Sequence, residues 1–155
     1  FYLFIIVYFL VFMSISVGNF NLGVFSILVT YFIILTYYSM LENEYYIWSN
    51  SCSPKVFIMK KIKIALIYTT SLVIPIAMVL GLFFNDNIYT LLIIIVLGYI
   101  YLITIILAKY SSYPTEMNLP QVLLIGFSLL FPPLLLGIIP FFYIRSTKHL
   151  NEILK

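Results

Sequence analysis

The chain has 155 residues, 64% of them hydrophobic, 19% aromatic and only 8% charged, with a formal net charge of +3 and a mean hydropathy of +1.15. So little charge cannot clothe the surface of a water-soluble domain, so the composition excludes a soluble globular fold and points to an integral membrane protein. The charge is also too small and too local for nucleic-acid binding, and the single cysteine, Cys52, has no disulfide partner and no Cys or His at a metal-ligand spacing.

Five apolar blocks follow one another along the chain, against the roughly 20 helical residues that a hydrocarbon core demands. Phe1 to Val17 reads as a short or truncated first span. It starts on Phe without a charged leader, so further natural sequence is expected upstream, and no small-residue cleavage site follows Val17 as a signal peptide would require. Gly18, Asn19, Phe20 and Asn21 make a tight polar turn. Leu22 to Met40 is the second span, with Ser26, Thr30 and Thr36 placed to bond back to the helix backbone, and the two blocks are expected to form a helical hairpin.

Residues 41 to 63, LENEYYIWSNSCSPKVFIMKKIK, interrupt the apolar pattern. Ser53 suits a helix N-cap and Pro54 the first helical position, where a missing N–H costs nothing. A third helix is therefore expected from Lys55 through the lysines into Ile64 to Phe84. Pro75 lies inside it, as a kink or as a proline tolerated by packing.

Asn85, Asp86 and Asn87 form the next turn, Ile88 to Ala108 the fourth span, and Lys109 to Asn118 a polar loop. The last block, Gln121 to Tyr143, is broken by Pro132, Pro133 and Pro140, and a basic tail, residues 144 to 155, closes the chain. The expected fold is thus a single all-α domain over residues 1 to 155, a transmembrane helical bundle of four clear spans and a proline-broken fifth block.

Orientation follows from Lys and Arg, which short cytoplasmic loops hold in excess. Lys55, Lys60, Lys61 and Lys63 follow the second span and Lys109 the fourth, whereas the turns at Asn19 and Asp86 hold none. Loops 41 to 63 and 109 to 118 are therefore expected in the cytoplasm of a multi-pass plasma-membrane protein. The fifth block conflicts with this rule, because one crossing would carry Arg145, Lys148, His149 and Lys155 outside. Either the block is re-entrant or kinked at its prolines, or it spans once and the tail charge is overruled.

The interruption at 41 to 63 admits two readings. As a surface anchor, Tyr45, Tyr46, Ile47 and Trp48 would sit at the interface, Glu42 and Glu44 would face water, and the lysines would snorkel to anionic headgroups. The alternative is a resemblance: acids, an aromatic stretch, Ser-Pro and then lysines, here ENEYYIW, SP and KKIK, resemble the cytoplasmic loop of the permease subunits of ATP-binding-cassette (ABC) exporters, over about residues 22 to 109 in order and spacing. That resemblance implies that residues 41 to 54 form a coupling helix docked on a separate ATPase, with Glu42, Glu44 and Trp48 in or beside it and Ser53, Pro54, Lys60 and Lys61 at the return to the membrane. It also implies six spans, a re-entrant element before the last, and a leading amphipathic helix.

The chain has no G-x-x-x-x-G-K-[ST] loop, so ATP would be bound by a partner and no cofactor by this chain. All five carboxylates, Glu42, Glu44, Asp86, Glu116 and Glu152, fall in expected loops or the tail, which weighs against ion-coupled transport and against an intramembrane enzyme. The expected function is the permease subunit of a bacterial inner-membrane ABC-type exporter, not itself an enzyme, working with a cytoplasmic ATPase in the lipid bilayer as a homo- or hetero-dimer. The alternative is a non-transporting membrane scaffold or assembly subunit.

Overall fold

The computed structural model describes residues 2 to 49 and 53 to 153, without the side chains of Glu44, Tyr46, Trp48, Glu152 and Ile153. Phe1, Cys52 and Lys155 lie outside the described residues. The described residues form helices and no strand: α1 (Tyr2–Val17), α2 (Phe20–Ser39), α3 (Glu44–Ser49), α4 (Pro54–Phe83), α5 (Ile88–Ser112), α6 (Leu119–Leu130) and α7 (Leu135–Ile153), with 3-10 turns at Asn85–Asn87 and Pro132–Leu134.

Three helical segments are long and apolar enough to cross a membrane: Phe20–Ser39, Pro54–Phe83 and Asn85–Ser112. The first expected span, α1, has 16 described residues and is not among these three. The fifth block is not one helix either. Proline cannot donate an amide hydrogen bond, and at Pro132 and Pro133 the chain leaves α6, makes a 3-10 turn and starts α7. Pro75 and Pro140, by contrast, lie inside α4 and α7, which continue past them.

Two compact units are distinguished, Phe1–Thr36 with Leu66–Tyr99, and Tyr37–Ala65 with Ile100–Lys155. In the first, α1 ends at Gly18, whose φ of 66° is one that a residue with a Cβ adopts at a cost. Asn19 Oδ1 then accepts the N–H groups of Asn21 at 3.0 Å and Leu22 at 3.4 Å, capping α2. Close approach replaces the hydrophobic effect as the cause of helix association in lipid, and glycine permits it here. Gly98 of α5 lies under the Tyr31 ring of α2, and the Tyr31 hydroxyl donates to the Ile95 carbonyl at 3.0 Å.

In the second unit, α6 runs antiparallel along α5. Gln121 Nε2 donates to Ser111 Oγ at 3.0 Å, and two residues from the other end of α6 Tyr101 donates to the Ser128 carbonyl at 2.7 Å. Gln121 also accepts from Ser112 Oγ and from the Asn118 N–H, which closes the start of α6. α6 stops at Leu130, only about 3 Å of rise beyond Ser128, beside the middle of α5. α7 buries a stripe of Leu135, Ile138, Phe142, Ser146 and Leu150 along its whole length. Residues 144 to 153, expected as a tail, are the second half of this helix.

Candidate functional site

After α2 the chain bends at Met40 and runs without regular structure to Asn43, whose Oδ1 accepts the Tyr45 N–H at 3.0 Å and caps α3. The carboxylate between them, Glu42, does not face water as expected. Its Oε2 lies 2.9 Å from Lys61 Nζ of α4 and accepts the Tyr110 hydroxyl of α5 at 2.9 Å, while its Oε1 lies 3.3 Å from Lys109 Nζ of α5. The backbone takes part as well: Tyr113 donates to the Glu42 carbonyl at 3.1 Å, and Lys109 to the Met40 carbonyl at 3.3 Å.

Helical spacing prepares both walls of this site. Phe57 and Lys61 are four residues apart on α4, with Lys61 Nζ 5.7 Å from the Phe57 ring centroid, and the Phe57 ring meets the Tyr110 ring edge-on, with centroids 5.4 Å apart and an interplanar angle of 80°. On α5, Lys109 Nζ lies 4.9 Å from the Tyr110 ring centroid, a cation–π distance. Lys109 stands in the last helical turn, where the carbonyl end of the helix dipole favours a cation. Its side chain is only 3% exposed, so its charge depends on Glu42, the Met40 carbonyl and the ring.

Burial by itself would raise the Glu42 carboxyl pKa. The Lys61 hydrogen bond, the charges of Lys109 and Lys61 and the Tyr110 hydroxyl outweigh it, and the pKa lies below the ordinary glutamate value. Glu42 is thus an anion paired with two cations and a phenol. Among the described residues no three His, Cys, Asp or Glu side chains come together as a metal site. The arrangement does one thing: it fastens segment 40 to 43 to α4 and α5 at once.

The other expected site residues divide. Ser53 precedes α4 and its carbonyl accepts the Phe57 N–H at 3.0 Å, with Pro54 as the first helical residue. Lys55, Lys60 and Lys63 are exposed, and only Lys61 of the four turns into the site. Glu44 and Trp48 belong to α3, their side chains outside the described residues. The loop expected to start at Lys109 starts instead at Tyr113, because Glu42 neutralises Lys109 and lets α5 continue through Ser112. Lys109, Tyr110, Tyr113 and Phe57 escaped the sequence reading. Their signal is Lys-Tyr-x-x-Tyr closing an apolar run, with one helical face of the run carried past its first charge. The chain matches no family model, no curated protein and no solved structure.

Proposed function

We propose that the chain is the membrane-spanning permease subunit of an ABC-type exporter, driven by a separate ATPase that docks on residues 41 to 54. The observation that carries the reading is the fastening of that segment by Glu42 to both α4 and α5. A loop that only anchored at the interface would gain nothing from being tied to two spans, whereas a loop that passes on a push requires such ties. Glu42 then acts as a positioning residue, and α3, the helix that includes Trp48, is the segment that meets the ATPase. ATP is bound by the partner.

The segregation of charge supports the orientation. All eight Lys and Arg residues fall within Tyr37–Ala65 and Ile100–Lys155, and Asp86 is the one charged residue of the other unit. The ends of α4 and α5 that carry Lys55 to Lys63 and Lys109 therefore face the cytoplasm. α6, about 18 Å long with its 12 residues, enters from that side along α5. α7 returns to it, bringing Arg145 and Lys148 to the cytoplasm and removing the conflict with the positive-inside rule.

One observation favours the second reading, a scaffold without transport. The buried hydroxyls of Ser26, Thr30 and Thr104 donate to carbonyls of their own helices, leaving no hydroxyl proton for a polar cargo. The two readings part in one experiment. The natural protein is purified from its host in mild detergent and the preparation tested for a co-purifying ATPase. A permease brings down an ATPase whose activity is lost on Trp48→Ala or on replacing residues 44 to 49 by a neutral linker. A stable protein that brings none down overturns the proposal in favour of the scaffold.

A further inference from the structure

Of the cations in the second unit, Lys61 and Lys109 are taken by Glu42, whereas Lys55, Lys60, Lys63, Arg145 and Lys148 are exposed and in no ion pair among the described residues. Four of those five belong to a pattern that occurs twice. On α4, Val56, Met59, Lys60 and Lys63 stand at i, i+3, i+4 and i+7; on α7, Phe141, Ile144, Arg145 and Lys148 repeat the same spacing in the same order, apolar, apolar, basic, basic. Each set occupies about 100° of its helix. The apolar members are half or more exposed: Val56 56%, Met59 58%, Phe141 50% and Ile144 67%.

A purely basic face would suit water or any polyanion. Two apolar side chains beside two cations on one narrow face need a partner with hydrocarbon and negative charge in the same place, which is the chemistry of an anionic phospholipid. Length agrees on α4, whose 30 residues span about 45 Å, some ten residues more than the hydrocarbon core requires. Its first turns, with Lys55 to Lys63, therefore extend into the headgroup layer. On α7 the order along the helix puts Phe141 and Ile144 deeper and Arg145 and Lys148 nearer the headgroups; α4 runs the opposite way, so Lys60 and Lys63 lie deeper than Val56 and Met59 and reach back toward the headgroups along their long side chains.

We infer that these two helix faces form a binding surface for anionic phospholipid headgroups, with Lys60, Lys63, Arg145 and Lys148 as phosphate ligands and Lys55 adding to the field. The inference does not rest on the permease reading, since a scaffold would carry the same surface. It does require the ends of α4 and α7 to meet one leaflet.

The test uses the full chain in mild detergent, with phosphatidylglycerol or phosphatidylcholine of identical acyl chains added, and reads bound lipid by native mass spectrometry alongside the thermal unfolding midpoint. Phosphatidylglycerol is retained and raises the midpoint, phosphatidylcholine does so much less, and 0.5 M salt, roughly the regime where screening falls below 5 Å, diminishes the difference. Each Lys→Gln or Arg→Gln change among the four ligands weakens retention about fivefold, whereas Lys60→Arg with Lys63→Arg preserves it. Equal retention of the two lipids overturns the inference, as does an equal midpoint shift from inorganic phosphate or unchanged selectivity in the four-fold Gln variant. Should that variant fail to fold, the lipid comparison and the salt dependence on the natural sequence still decide.

Discussion

Glu42 and Lys109 lie 67 residues apart in the chain and 3.3 Å apart in space. The pair joins the segment after α2 to the last turn of α5, and Lys61 at 2.9 Å adds α4 to the same carboxylate. Two cations share one anion, so the site holds together only with the help of the Met40 carbonyl and the Tyr110 ring. Every member depends on Glu42.

Removing the carboxylate charge should therefore cost more than a surface ion pair would. Glu42→Gln preserves the shape but leaves Lys109 buried against a neutral amide. Hydrogen bonds to charged groups are worth about 1.5–3 kcal/mol, and a loss in that range is expected, seen as a fall of several degrees in the unfolding midpoint in detergent. Lys109→Met in the Glu42→Gln background should recover part of the loss, because the stranded charge is gone. Strict additivity of the two changes would show that the residues are not coupled.

The same carboxylate sets a pH dependence of known sign. Its folded pKa is below the ordinary value of 4.5, so ionised Glu42 contributes stability above that value and the contribution is lost as pH falls through the folded pKa. Between pH 7 and 5 the gap in unfolding midpoint between the natural protein and Glu42→Gln should stay constant. Below about pH 4.5 it should narrow, because protonation makes the natural side chain resemble its variant. A gap that widens on acidification would contradict the assigned ion pairs.

At Gly98 the structure leaves no room for a methyl group. A Cβ there would overlap the Tyr31 ring, whereas at Gly126 and Gly137 it would meet nothing within 4 Å. Gly98→Ala should lower the unfolding midpoint by an amount corresponding to about 1–3 kcal/mol, and Tyr31→Leu in that background should restore part of it. Gly126→Ala should be neutral or slightly stabilising, since alanine favours helix by up to about 1 kcal/mol over glycine. Measuring the three variants side by side separates ring overlap from helix propensity.

The helices were legible wherever one signal dominated. Ser53-Pro54 marked the start of α4, the Asn85–Asn87 turn showed in its polar residues, and Pro132-Pro133 broke the last block because proline removes the donor that a helix needs. The Glu42 site was not legible. A carboxylate in a polar stretch reads as solvated, and Lys109 at the end of an apolar run reads as the first loop residue. Only the packing of α4 beside α5 turns both inward, and that is a long-range fact that no local spacing carries.

The proposed return of α7 to the cytoplasmic side has a direct test in labelling. With Cys52→Ser as background, single cysteines are introduced by Asn85→Cys in the α4–α5 turn, Thr115→Cys between α5 and α6, and Asn151→Cys near the end of α7, all at exposed positions. In sealed inside-out vesicles a membrane-impermeant maleimide should label Thr115→Cys and Asn151→Cys and spare Asn85→Cys, with the reverse pattern in right-side-out vesicles. A single crossing by the last block would instead place Asn151 with Asn85. The physical reason to expect the first result is length: α6 reaches only the middle of α5, and a chain that turned outward at Pro132 would draw α7 away from residues 37 to 65 and 100 to 130, with which it shares a compact unit. Labelling of Asn151→Cys together with Asn85→Cys would overturn the re-entrant arrangement and leave Arg145 and Lys148 on the wrong side for the positive-inside rule.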